Sequence, residues 1–112
     1  MSRVALILSL AAALLFAVGG VFMKMSNGLE RLVPGSAALG LFLAGAVAQT
    51  IALKHAELGV AYVLVLGLEA VLAFVFGALF FEENVSLPKV LGVALIIGGF
   101  ALLNAGASAG AR

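Results

Sequence analysis

The chain has 112 residues, no cysteine, 65% apolar and only 10% charged side chains, and a mean hydropathy of +1.32; this is room for about one domain, and far from the ~25% charge of a soluble globular protein. Six basic and five acidic side chains leave a net charge of +1, which excludes the electrostatic footprint of a nucleic-acid binder and a polybasic lipid-binding tail. The absence of cysteine removes disulfides, thiolate nucleophiles and thiolate metal sites, and a single histidine, His55, excludes a histidine cluster within one chain.

The composition is that of an integral membrane protein. Crossing a ~30 Å hydrocarbon core takes ~20 mostly apolar residues as helix, and polar interruptions divide the chain into four such spans: about residues 4–23, 35–53, 59–81 and 89–104. Helices are the expected element, because an open sheet cannot satisfy its backbone in lipid and no barrel-strand alternation is present. The fold expected is therefore all-α, a single four-helix transmembrane domain over residues 1–112.

The first span follows Arg3 directly and reads as an uncleaved helix rather than a signal peptide. A connector from Lys24 to Pro34 leads to the second span, which closes on Gln49 and Thr50, a polar wall unless Thr50 bonds back to its own helix. Lys54, His55 and Glu57 form a short connector expected to be a solvated turn. The third span carries the acid Glu69 in its interior. After Glu82 to Pro88, Ser86 is placed to cap the fourth helix, with Pro88 in its first turn. Residues 105–112 are expected to form a flexible tail. Connectors this short make sequential helices antiparallel neighbours.

Orientation signals cancel. With four spans, Arg3, Lys54 and Arg112 share one side of the membrane, and Lys24, Arg31 and Lys89 the other. Lysine and arginine bias in short loops normally sets topology, so this balance points to insertion in both orientations and an antiparallel pair, or to orientation by a partner. Four helices are also too few to enclose a substrate path. Helices in lipid associate through small residues, and Ala94 with Gly98, four residues apart and near Gly92 and Gly99, form a candidate dimer seam. The alternative is that these residues pack the fourth helix on its own chain.

Several segments, in this order and spacing, resemble the small multidrug resistance family: Phe22-Met23-Lys24-Met25-Ser26-Asn27-Gly28, Ala48-Gln49-Thr50, Gly59-Val60-Ala61-Tyr62, and Phe81-Glu82-Glu83-Asn84-Val85-Ser86-Leu87-Pro88-Lys89 with Gly92. The resemblance covers nearly the whole chain. It implies a multi-pass protein of the bacterial inner membrane, a proton-coupled exporter of hydrophobic cations or guanidinium compounds, working as an antiparallel homodimer or a paired heterodimer. One departure limits the transfer. The family's glutamate stands in the first helix eight positions before its terminal lysine, and eight before Lys24 this chain has Phe16. The family's aromatic pocket position, three residues past the tyrosine, is Val65, which removes a surface for stacking on cations.

Glu69 is the sharpest functional signal. An acid at this depth costs about 2.5–3.5 kcal/mol or more on insertion scales, and such residues generally face a cavity or a partner. It follows Tyr62 by seven residues, Val65 by four and Leu66 by three, spacings that share a helical face, and in the resembled family that face lines the substrate cavity. An anionic Glu69 would bind a cation and protonation would release it. The structural alternative is a protonated glutamate donating a hydrogen bond between helices. Gly67 offers either a bend or a close helix approach, and Tyr62 either a hydroxyl for the substrate or an interfacial anchor.

No Gly-rich phosphate loop, serine–histidine arrangement or metal-ligand spacing is present, so neither enzyme activity nor a cofactor is expected. The reading is a dimeric transporter of a small hydrophobic or cationic substrate, with Glu69, Tyr62, Val65, Phe16 and Gln49 as its substrate- and proton-binding candidates. Three alternatives stay open. A flippase of a lipid-linked substrate would suit the apolar Phe16. A partner subunit of a heterodimer would take its missing acid from its mate. A membrane scaffold would move no solute.

Overall fold

The structure, a computed structural model, describes residues 2–110 of the chain, with side chains described as far as Gly106. Helix α1 spans Arg3–Met25, α2 Leu32–Ala52, α3 Leu58–Phe80 and α4 Leu87–Gly110, and a 3-10 turn at Leu53–His55 follows α2. All four helices are long and apolar enough to cross a bilayer, and no strand occurs among the described residues. This is the all-α, four-span architecture expected from composition.

Local chemistry sets the helix ends. Ser2 accepts the Ala5 N–H at 3.0 Å and caps α1. At the other end buried Ser26 donates its hydroxyl to the Met23 carbonyl at 2.7 Å and accepts the Leu29 N–H at 3.1 Å. The chain then reverses through three left-handed residues, Asn27, Gly28 and Leu29, with φ of 50°, 71° and 72°. Asparagine and glycine adopt this conformation readily. Leu29 adopts it too, its N–H bonded to Ser26 Oγ and its Cδ2 lying 3.1 Å from where a Cβ on Gly35 would stand.

Two boundaries differ from expectation. α2 begins at Leu32 rather than Gly35, because Pro34 sits inside its first turn, where a backbone N–H has no intrahelical partner to lose. α4 continues to Gly110 instead of ending near Asn104, and residues 111 and 112 of the expected tail lie outside the described residues. Ser86 starts α4 through its backbone carbonyl, which accepts the Val90 N–H at 3.0 Å.

Helix α1 is the central strut. Its buried positions are Ala5, Ser9, Ala12, Ala13, Ala17 and Gly19, all small, so that α2 approaches one flank and α3 the other. α4 packs along α3. The spatial order is thus α2, α1, α3, α4, and the expectation that every sequential pair is adjacent fails at α2 and α3, which α1 separates. The molecule measures 50 × 34 × 17 Å, and its short dimension is less than two helix diameters of ~10–12 Å. A slab this thin encloses no path across the membrane by itself.

Two phenylalanines lock α1 to α2 reciprocally. The Phe16 ring of α1 lies over Gly45 of α2, and the Phe42 ring of α2 lies over Gly19 of α1; a Cβ at either glycine would stand 2.8 Å from the facing Cε1. The rings meet with centroids 6.2 Å apart, tilted by 43°, within the favourable range for aromatic pairs. On the other flank Val65 of α3 is fully buried against Ala12 and Ala13, with Phe16, Ala48 and Leu68 packed around them. By contrast, no described side chain of α4 is buried.

Candidate functional site

Between α1 and α3 lies an open-sided cavity of about 350 Å³. Phe16, Gly20 and Lys24 line it from α1, and Glu69, Ala73, Phe76 and Gly77 from α3. Each set follows the three- and four-residue spacing that places side chains along one helix face. Gly20, Ala73 and Gly77 leave the space, and Phe16, Glu69, Phe76 and Lys24 supply its character: aromatic walls, one carboxylate within the membrane and one ammonium at the end of α1.

Glu69 is half-buried in this cavity. Among the described residues one ion pair occurs, between Lys24 and Glu83, and none of them gives the Glu69 carboxylate a charged partner. Its nearest relation to the expected site is Phe16: the position where the resembled family has its acid and the position where this chain has one line the same cavity. The cavity face therefore runs across two helices, with its acid on α3 and none on α1.

The mouth is built by the α3–α4 connector. The Gly77 carbonyl accepts the N–H groups of both Phe81 and Glu83 at 3.1 Å, and left-handed Glu82, φ 53°, turns the chain back. This carries the Glu83 carboxylate over Gly77, where a Cβ would collide with it. Lys24 Nζ pairs with Glu83 Oε2 and stands 5.0 Å from the Phe81 ring centroid, within cation–π range. Phe81 and Glu83 line the cavity alongside Lys24.

The remaining candidates are dispersed. Val65 is fully buried in the α1–α3 contact and is absent from the cavity lining, so its size here serves packing. Tyr62, 46% exposed, lies two turns from Glu69 and outside the lining. Gln49 is half-buried on α2, also outside it, and Thr50 donates to the Ala46 carbonyl at 2.7 Å, bonding to its own helix. Gly67 marks a close approach: a Cβ there would lie 3.0 Å from Ile96 Cγ2 of α4, while α3 continues as α-helix through it. Ala94 and Gly98 are exposed, and nothing lies within 4 Å of a Cβ on Gly98.

Sequence reasoning placed Lys24 and Glu83 in the first and third connectors and so missed the mouth. Their 59-residue separation leaves no local signal of pairing, and the one clue, Gly77 six residues before Glu83, acquires meaning only when the connector folds back.

Residues 4–96 match the family model described as Small Multidrug Resistance protein. The chain is 40% identical over 96 residues to the uncharacterized membrane protein YvaE of Bacillus subtilis, covering 85% of this chain and 81% of that protein. It is 31% identical over 87 residues to the quaternary ammonium compound-resistance protein QacH of Staphylococcus saprophyticus, covering 78% and 81% respectively. The guanidinium exporter of Proteus vulgaris is 29% identical over 93 residues, covering 83% of this chain and 89% of the relative. With four membrane-spanning helices, the chain is a multi-pass bacterial membrane protein and belongs to the small multidrug resistance family, which consists of transporters rather than enzymes.

Proposed function

We propose that this protein transports a small hydrophobic cation across the membrane, that the cation and a proton compete for Glu69, and that two chains together form the path. The observation that carries the reading is a half-buried carboxylate without a charged partner among the described residues, in an aromatic-walled cavity between membrane-spanning helices. Leaving such a charge unpaired in the membrane is unfavourable, and a bound cation or a proton relieves it. Because each displaces the other, an inward proton flux can drive an outward cation flux.

The thin slab supports the need for a second chain, since the cavity is open on one side and must be closed by something. The exposed small residues of α4, Ala94 and Gly98, provide a surface on which a helix of another copy can approach closely. The balanced charge of the two faces is consistent with an antiparallel arrangement. The relatives named for quaternary ammonium resistance and guanidinium export favour organic cations over the lipid-linked substrate that an apolar Phe16 would also admit. A heterodimeric partner remains the second reading, because this chain lacks the acid in its first helix.

The test is substrate-evoked current from proteoliposomes holding this protein alone, with a panel of quaternary ammonium and guanidinium compounds. Wild-type protein should give currents that Glu69→Gln abolishes while assembling normally. Silence from the wild type, with current on adding a coexpressed homologue, would replace self-contained transport with the heterodimer.

A further inference from the structure

The cavity holds a second carboxylate, and an ammonium is already seated on it. Lys24 Nζ pairs with Glu83 and lies 5.0 Å from the Phe81 ring, so this corner of the cavity accommodates an alkylammonium between a carboxylate and an aromatic face. Both groups belong to the lining that includes Glu69. We infer that Glu83 and Phe81 form an outer cation-binding subsite at the cavity mouth, occupied in the empty protein by the chain's own Lys24, which an incoming organic cation displaces on its way to Glu69.

Three features support an exchangeable ammonium rather than a fixed strut. The pair is half-exposed, at 54% for Lys24 and 44% for Glu83, and exposed pairs of this kind are weak and labile. The carboxylate, in contrast, is placed by the backbone: both the Glu83 N–H and the Phe81 N–H bond to the Gly77 carbonyl, and the missing Cβ at Gly77 is what lets the carboxylate occupy its position. The acceptor is thus built into the fold, whereas the ammonium arrives on a flexible four-carbon stem. A ligand can take the place of the second without disturbing the first.

The inference rests on the reading of the cavity as a cation path, and its test separates the two. Binding of phenyltrimethylammonium to the full chain in detergent micelles is measured by titration calorimetry. Removing the resident ammonium by Lys24→Gln should tighten binding about threefold to fivefold, the scale of an exposed ion pair. Glu83→Gln should weaken binding, and the double variant should bind no more tightly than Glu83→Gln alone. Lys24→Met, which keeps the apolar stem, serves the same comparison should the glutamine variant fail to assemble. Unchanged or weaker binding in the Lys24 variants would overturn the inference. So would equal tightening with and without Glu83, since Lys24 would then act only as a repelling charge on the cavity. Glu69→Gln binding like wild type would refute the proposed role of Glu69 and leave the Lys24 and Glu83 comparison intact.

Discussion

Adding one methyl group at Gly45 tests the coupling between helix packing and the cavity. An ideal Cβ there would lie 2.8, 3.0 and 3.2 Å from Cε1, Cδ1 and Cζ of Phe16. Restoring an ordinary contact of ~3.5 Å takes a ring displacement of about 0.7 Å. The cavity borders the same ring, so the ring has room to move only at the cavity's expense. Overpacking of this size costs ~1–3 kcal/mol, against a helix-propensity gain of about 1 kcal/mol from replacing glycine by alanine. Gly40→Ala, on the same helix with nothing within 4 Å of its Cβ, isolates the propensity gain. Thermal unfolding in micelles followed by circular dichroism should place Gly45→Ala about 1–3 kcal/mol below Gly40→Ala. The mirror variant Gly19→Ala meets Phe42 at the same 2.8 Å, but Phe42 is not part of the cavity lining. Both variants should lose stability, and only Gly45→Ala should weaken phenyltrimethylammonium binding. Phe16→Leu should recover much of the stability lost by Gly45→Ala, as expected for residues in contact. Equal binding by the two alanine variants, or no coupling with Phe16→Leu, would refute the assignment of Phe16 as both lock and cavity wall.

Three further outcomes follow from the geometry. Val65→Phe, which restores an aromatic side chain at that position, should destabilise the fold by ~1–3 kcal/mol in the same thermal assay, because Val65 is fully buried against Ala12 and Ala13. Glu82→Gly should stabilise by roughly 1 kcal/mol, since Glu82 is exposed and holds φ at 53°, where a side chain is strained. Phe16→Glu combined with Glu69→Gln moves the acid across one cavity, and proteoliposome currents abolished by the single Glu69→Gln change should return in part.

The number and type of helices were legible from hydropathy, because the interruptions at Lys24, Lys54 and Glu82 are polar and the spans between them are not. Rotation about the helix axes was not. α3 is apolar on every side, so nothing in its pattern singles out the flank, shared by Val65 and Glu69, that turns toward α1. The position of α1 between α2 and α3 depends on small residues at Ala5, Ser9, Ala12, Ala13 and Ala17, whose role becomes visible only when two helices press on them. Phe16 was recognisable as the place of a missing acid, and Glu69 as an acid in an unusual place. That both line one cavity is a relation between α1 and α3 that no spacing within either helix encodes. Lys24 and Glu83 escaped for the same reason: charges at span ends are ordinarily solvated, and their meeting depends on the turn through Glu82 and the open space at Gly77.

The central claim is that a proton and an organic cation occupy Glu69 in turn. Linkage makes this measurable, since two ligands that compete for one group must displace each other reciprocally. The direct measurement is proton release from weakly buffered, detergent-solubilised protein on addition of phenyltrimethylammonium, starting at a pH where the wild-type carboxyl is protonated. The account predicts that wild-type protein releases protons as the cation binds and that Glu69→Gln releases none. Proton release that persists undiminished in Glu69→Gln, or cation binding by wild type without any release across the titration range, would contradict it.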